Sequence, residues 1–327
     1  MSVLPKVLLT SLLVLSTLGC GNKNQFKDVG ISSTSEVDLS LREANIGAFN
    51  LMRITPTNKN FSRIVELVDE ADLHVFAGIE IMSTEAADAL LEALNRQSTH
   101  KWEMILSSHK NGESSYKEWF AFYYQVGKAE PLNLGKRFCN TYEGTESKGD
   151  SCYARDLYSD GPDFERDPFV GHFKIGGALF SLVSVHLVYG GQDQESIQRR
   201  LNEMMNLRIV ADKVRNLSPA HDVVVLGDFN LKLDTELDPF DPDRVKPIVP
   251  EDFIFQSPPM TALISEATTI GNSNYDHFFF YEDNLNPLID ESQDTLIDFD
   301  TSSRQQKAVY KSEVSDHFLI RTSFRLY

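Results

Sequence analysis

Residues Val223 to Asn230 read V-V-V-L-G-D-F-N, and this run limits the fold more than any other stretch of the chain. Three valines and a leucine in succession suit a short strand buried on both faces, which requires a sheet covered on both sides. Gly227 breaks the run and lets the backbone turn tightly. Asp228 and Asn230 then stand at the lip of the sheet, where α/β proteins commonly build their sites. One strand ending in an Asp/Asn turn would be ordinary. Here several strand-like runs end in polar groups, and that repetition is the signal.

The other runs can be taken in chain order. Ile46 to Leu51 is strand-like and holds Asn50. Phe61, Ile64, Val65 and Val68 have helical spacing, which predicts an amphipathic helix over 60–71. His74 to Ile81 reads as a second buried strand, with Glu80 among apolar neighbours, where a charge is costly unless paired or metal-bound. Thr84 is the expected N-cap of a helix carrying Leu90, Leu91 and Leu94. Trp102 to Leu106 and Glu118 to Val126 read as strands, and 128–165 as polar and irregular. Phe169 to Ile175 and Ala178 to Val188 are two more strands. Alternation on the second sets Phe180, Leu182, Ser184 and His186 on one face. Ile197 to Val214 marks a long helix. A Pro/Asp-rich loop, 236–259, precedes strands at Tyr275 to Tyr281 and Phe318 to Phe324. Alternating helices and strands, with the later strands adjacent, predict one α/β domain of layered sheets.

At 327 residues, 41% apolar and with 21 Phe, the chain can bury a large core. Its net charge of −17 argues against strong sequence-independent grip on nucleic acid, although a cleft can be locally basic or metal-loaded. Glu282 to Asp300 holds seven acids and no Lys or Arg. It reads as a solvated face, with weak calcium binding as the alternative. Lys6 followed by apolar Val7 to Leu18 has the length of a signal peptide and is too short to span a bilayer. Gly19-Cys20 closes it, which resembles a bacterial lipoprotein signal with Cys20 lipidated; an ordinary secretory signal is the alternative. Either way the mature protein is expected outside the cytoplasm, lipid-anchored in the periplasm or at the cell surface, or secreted. Residues 21–40 read as a flexible tether. In such a compartment Cys139 and Cys152 can close a small loop, stabilising by about 3 kcal/mol; two buried free thiols are the alternative.

The polar residues at strand ends are Asn50, Glu80, Glu118, His186, Asp228, Asn230, Asp276, Asp316 and His317. Oxygen ligands of this kind suit Mg²⁺, with Ca²⁺ or Mn²⁺ as alternatives, rather than zinc. Two histidines beside spare carboxylates suit general acid and base work near neutral pH. Together they favour metal-assisted hydrolysis of a phosphate ester. His74, His100, His109, His172 and His221 lack such a setting and read as structural or surface groups. His277 points away from Asp276 on strand alternation. Arg155, Arg199 and Arg200 read as solvated.

The order F-N, E, S-x-H, G-D-F-N, Y-D-H and S-D-H resembles the endonuclease/exonuclease/phosphatase superfamily. Ser115-Tyr116-Lys117-Glu118 before an aromatic strand, and Glu165-Arg166-Asp167-Pro168, are similar to segments of its deoxyribonuclease I branch. The resemblance runs from about Asn45 to Tyr327. It implies a four-layer α/β/β/α sandwich of two packed mixed β-sheets over 41–327, monomeric, acting on DNA. It also implies roles. Glu80 binds the catalytic metal, with Asn50 and Asp316 close to it. His186 pairs with Glu118 and His317 with Asp276, one histidine activating water and the other serving the leaving oxygen. Asp228 and Asn230 hold the phosphate or the nucleophile, and Tyr116 and Arg166 contact the phosphate backbone. Met82 stands where that branch has a groove-entering Arg, and the Cys139–Cys152 loop is longer than that branch's small disulfide loop. Two other readings compete: a sphingomyelinase- or phosphoinositide-phosphatase-type phosphoesterase, for which Phe253 to Met260 is the candidate apolar loop, and a non-catalytic binding module.

Overall fold

The computed structural model describes residues 38–134, 151–157, 163–191, 193–231, 260–263, 267–281, 283, 289–297 and 302–327. For 156, 260–263 and 289–297 only the backbone is described. Cys20 and Cys139, most of the expected tether, the loop 236–259 and most of Phe253 to Met260 lie outside these residues.

The first half of the described chain builds β1 (Glu43–Ile54), α1 (Phe61–Glu70), β2 (Val75–Ile81), α2 (Thr84–Gln97), β3 (Trp102–Leu106) and β4 (Trp119–Gln125). Short strands β5 (Ala129–Pro131) and β6 (Ser151–Tyr153) follow, then β7 (Phe169–Ile175), β8 (Ala178–His186), α3 (Gln194–Leu217) and β9 (Asp222–Asp228). The chain continues through β10 (Met260–Leu263), β11 (Asp276–Tyr281), β12 (Ile289–Ile297), α4 (Arg304–Glu313) and β13 (Leu319–Leu326).

Two mixed sheets result. One runs β12-β13-β1-β2-β4-β3; the other runs β10-β11-β9-β8-β7-β5, with β6 also on β7. Each contains one parallel pair among the described residues, β1 with β2 and β8 with β9. A parallel pair needs a crossover, supplied here by α1 and α3. Three clusters of buried side chains make the layers. Ile46, Val75, Phe122, Phe180, Leu226 and Phe324 lie between the sheets. Ile64, Val68, Leu90 and Leu94 of α1 and α2 pack on the outer face of the first sheet. Leu207, Val210 and Val214 of α3 cover the second. The architecture is the α/β/β/α sandwich.

Several expectations are corrected. The N-cap of α2 is Ser83, not Thr84, its side chain accepting from Ala86 N–H. The 128–165 stretch is not wholly irregular, because β5, a 3₁₀ turn (Ala154–Leu157) and β6 on β7 lie within it. Much of the acidic stretch forms β12, an edge strand beside β13; one partner strand sufficed to order it, and no apolar alternation announced it. α4 also escaped the pattern, since Tyr310 is its one buried residue. Gly227 sits inside β9 rather than after it, at φ +134, and a Cβ there would lie 2.2 Å from the Val185 carbonyl oxygen. Close strand approach, in a left-handed region open to glycine, explains the residue better than a turn.

Candidate active site

The two crossover units explain why the polar strand ends converge. Asn50, Glu80, His186 and Asp228 all lie at or near the carboxyl ends of the parallel strands β1, β2, β8 and β9. Crevices outside those ends are the usual ligand sites of α/β folds. Register adds the rest. Asp228 pairs with His186 on one side and Asp276 on the other, so three reactive groups form one row across the second sheet. His317 enters beside them just before β13, which runs antiparallel to β1.

Backbone strain gathers here. Among the described non-glycine residues with positive φ are Met52, Arg53, Glu80 and Asn230, all of which line one cleft. Left-handed backbone costs about 1–3 kcal/mol per residue and persists where its surroundings impose it. At Glu80 the cause is visible: the pairing of β2 with both neighbours slips at this point, and the bulge re-aims the side chain.

The side chains form one network. Asn50 Nδ2 donates to Glu80 Oε1 at 3.1 Å and to Asp228 Oδ2 at 2.9 Å, so a single amide joins the two sheets. Tyr116 O–H donates to Glu80 Oε2 at 2.8 Å. His186 Nδ1 lies 2.8 Å from Glu118 Oε1, and His317 Nδ1 lies 2.8 Å from Asp276 Oδ2. The two free ring nitrogens face the same atom: His186 Nε2 is 3.8 Å and His317 Nε2 is 3.6 Å from Asp228 Oδ2. Ser315 Oγ accepts from His317 N–H at 3.1 Å and donates to the Asn50 carbonyl at 2.6 Å, tying the last loop to β1.

The electrostatics split the two histidines. Burial and Arg166 lower His186 to about 4 against the pull of Asp228 and Glu80, so it is neutral near pH 7. Burial opposes the charged form of His317 too, yet Asp276 and Asp228 override it and raise it to about 10. Burial pushes the Glu118 carboxyl up, and the Arg166 guanidinium beside it opposes that shift and favours the carboxylate. The Asp228 carboxyl is raised by burial, against the opposing pull of His317.

Other expected residues are placed differently. Arg166 lines the cleft but is 5% exposed; its guanidinium donates to the carbonyls of His186 (2.9 Å) and Leu187 (2.7 Å). Asn230 Nδ2 is likewise spent on the Leu187 carbonyl at 3.0 Å. Asp316 lines the cleft with its carboxylate 3.1 Å from Lys311 Nζ. His277 is buried against Phe229, outside the cleft lining. Arg200 is not solvated: it is 3% exposed, with Nη2 donating to the Gly191 carbonyl, because α3 packs under that loop. Arg155 and Arg199 are largely exposed, the latter in the cleft wall on Glu165. The sequence reading missed Arg53 and Tyr189 in the cleft lining. Tyr189 carried a usable signal, an aromatic residue before two glycines just past a strand end. Arg53 carried none, since nothing in the sequence marks the bulge that turns it inward.

The donor set fits a hard divalent cation. Glu80, Asp228 and Asp316 present carboxylates to a cleft of about 920 Å³, and oxygen donors of this kind suit Mg²⁺, Ca²⁺ or Mn²⁺. Asp228, Asp276 and His317 also offer ligand atoms within 4.8 Å of one another. There, however, His317 Nδ1 and Asp276 already satisfy each other, which leaves Glu80 and Asp228 the freer donors.

No protein-family model matches the chain. It is 27% identical to deoxyribonuclease-1-like 1 of Cricetulus griseus over 191 residues, 57% of this chain and 54% of that protein. The human protein of the same name gives 28% over the same length. The chain thus spans about half the length of the curated relatives it matches. Among solved structures, an endonuclease/exonuclease/phosphatase from Bacteroides vulgatus superposes with TM-score 0.54 at 14% identity, over 87% of this chain and 99% of that one. A mannosyl-6-phosphatase from Bacteroides thetaiotaomicron gives 0.51 at 16% identity, over 86% and 99%. At such identity these two share the fold alone. A deoxyribonuclease-like sequence thus lies over the fold of an endonuclease/exonuclease/phosphatase sandwich, with two carboxylate-held imidazoles where its parallel strands end, and in both respects the chain is similar to the deoxyribonuclease I-like branch of that superfamily.

Proposed function

We propose that the chain is a divalent-metal-dependent phosphodiesterase that hydrolyses DNA outside the cytoplasm. One observation carries the chemistry: two carboxylate-held imidazoles of opposite charge state present Nε2 to the same oxygen of Asp228, from 3.8 and 3.6 Å. His186, neutral, takes a proton from the attacking water at Nε2. His317, an imidazolium, gives its Nε2 proton to the departing oxygen. Glu118 fixes the tautomer of His186 by accepting from Nδ1–H, and Asp276 stabilises the cation of His317. Asp228, between the histidines, orients the water. Glu80, with Asn50 and Asp316 beside it, would hold the divalent cation, which when bound would supply Lewis-acid withdrawal of charge from the phosphoryl oxygens. Tyr116 positions Glu80 through its hydroxyl, and Arg166 holds the carbonyl of His186 in place.

The DNA substrate is supported by the names of the sequence relatives and by the cleft's charge. Among its described lining residues four Lys or Arg stand against four Asp or Glu, so the acidity of the whole chain does not repel a polyanion there. The signal-like N-terminus supports an extracytoplasmic location, with residues 1–20 as signal, 21–40 as tether, 41–327 as the catalytic domain and Cys20 as the lipid anchor. Cys152 is disulfide-bonded; we assign Cys139 as its partner. The protein acts as a monomer.

The test is digestion of plasmid DNA, linear DNA, RNA and phospholipid vesicles by the full-length chain, with and without chelator. DNA cleavage that EDTA abolishes and Mg²⁺ restores is expected. DNA left intact at millimolar Mg²⁺ ends this reading, and release of phosphocholine or inositol phosphates instead moves the chain to the lipid phosphoesterases.

A further inference from the structure

We propose that the cleft takes an unpaired nucleic-acid strand rather than a duplex, with Tyr189 as the face on which a base stacks. The proposal rests on the phosphodiesterase reading above and names its substrate class. Among the described residues, five large apolar side chains are exposed, and Tyr189 is the most exposed at 74%. It is also the one of the five that lines the cleft.

The loop beneath Tyr189 is held on both sides. Val188 N–H donates to Glu203 Oε2 at 2.6 Å, and the Gly191 carbonyl accepts from Arg200 Nη2 at 3.1 Å. Glu203 and Arg200 are both buried residues of α3. Gly190 lies so close to that helix that a Cβ would come 2.9 Å from Arg200 Nη1 and from Ser196 Cβ. The backbone is thus pressed onto α3 while the Tyr189 ring stands clear of it. Glu203 Oε1 also accepts from Glu165 N–H at 2.6 Å, which locks this loop to the one that carries Arg166. A ring held out in this way loses little freedom on meeting a flat partner.

The cations of the cleft point the same way. Arg53 lies over the Tyr116 ring, 4.7 Å from its centroid. Arg199 is 2.8 Å from Glu165, Lys311 is 3.1 Å from Asp316, and Arg166 is spent on two carbonyls. Each positive charge has a partner within the protein and four Asp or Glu line the same wall, so the counterion-releasing grip that holds a stiff duplex is weakened here. The uncommitted capacity is aromatic. In a duplex the base faces are already stacked on one another, and a tyrosine can use one only after the stack is opened. An unpaired strand offers its faces at once, and stacking on an aromatic side chain is the usual device for holding it.

The test uses the full-length chain with a fluorescein-labelled single-stranded 20-mer and the same sequence as a blunt duplex. Binding is followed by anisotropy in Ca²⁺ and in EDTA, and cleavage of both oligonucleotides in Mg²⁺. The single strand should bind more tightly and have the higher kcat/KM. Tyr189→Ala should weaken single-strand binding by roughly 5- to 150-fold, raise KM more than it lowers kcat, and leave duplex affinity unchanged; Tyr189→Phe should restore wild-type affinity. Equal or tighter duplex binding overturns the proposal, as does a Tyr189→Ala protein that binds the single strand like wild type. Tyr189-dependent binding without cleavage of either oligonucleotide supports the proposal and sinks the hydrolase reading. Binding of neither oligonucleotide sinks both.

Discussion

Strands β8 and β9 carry a histidine cluster at each end, and the two clusters behave differently. At one end His172 Nδ1 lies 2.8 Å from Ser181 Oγ, which lies 3.1 Å from His221 Nδ1. Burial holds His172 well below its ordinary range and His221 at about 4. Neither lines the cleft. At the other end His186 is just as neutral, but its Nε2 faces Glu80 and Asp228 in the cleft wall. Across the row, carboxylates on two sides turn His317 into a cation. Burial alone makes an imidazole neutral and idle. A carboxylate behind it and an opening in front make it an acid or a base.

The largest effect that separates the two ends is on rate. His186→Ala and His317→Ala should each lower kcat by about 10²- to 10⁴-fold, whereas His221→Gln should leave kcat at the wild-type level, read as initial rates on one DNA substrate. Loss of activity in a folded His221→Gln protein would erase the contrast. Next in size is the metal dependence. Glu80→Gln should raise the Mg²⁺ needed for half-maximal rate by roughly 10- to 100-fold, and an unaltered Mg²⁺ titration would remove Glu80 from the metal site.

A smaller effect sharpens the roles at the active end. The mechanism proposed above needs His186 neutral and His317 charged, so kcat/KM should fall below about pH 4 and above about pH 10. Asp276 is among the groups that raise His317, so Asp276→Asn should move the alkaline limb to lower pH and leave the acid limb in place. An unmoved alkaline limb would assign it to another group.

The smallest effect is on stability, and its sign differs between the clusters. His186 and His221 are depressed from 6.5 to about 4. Each takes up a proton on unfolding below the unfolded value, so its contribution is full above about pH 6.5 and is lost as pH falls towards 4. His317 is raised, so its contribution is full below about pH 6.5 and is lost as pH climbs through about 10. Thermal melts from pH 7 to 4 should therefore fall less steeply for His221→Gln than for wild type, and melts from pH 7 to 10 less steeply for Asp276→Asn.

The strand ends were legible because several apolar runs in one chain end in Asp, Asn, Glu or His, and the motif order supplied the pairing of His186 with Glu118 and of His317 with Asp276. Side-chain direction was less legible. Arg166 reads as a phosphate contact in a line of text, yet two carbonyls claim its guanidinium. Arg200 reads as a surface cation, yet α3 turns it under the Gly190 loop. Arg53 reaches the cleft through a left-handed bulge that no spacing rule encodes. What was hidden in each case is set by contacts between segments far apart in the chain.

The Asn50 amide, which donates to Glu80 on one sheet and Asp228 on the other, gives the molecule a safeguard in time. A refolding intermediate with both sheets formed but not yet closed on each other would hold every reactive group and still be inert. The hydrolytic activity proposed above should then return later than β-sheet circular dichroism during refolding, so that a chain caught half-made would leave phosphate esters untouched.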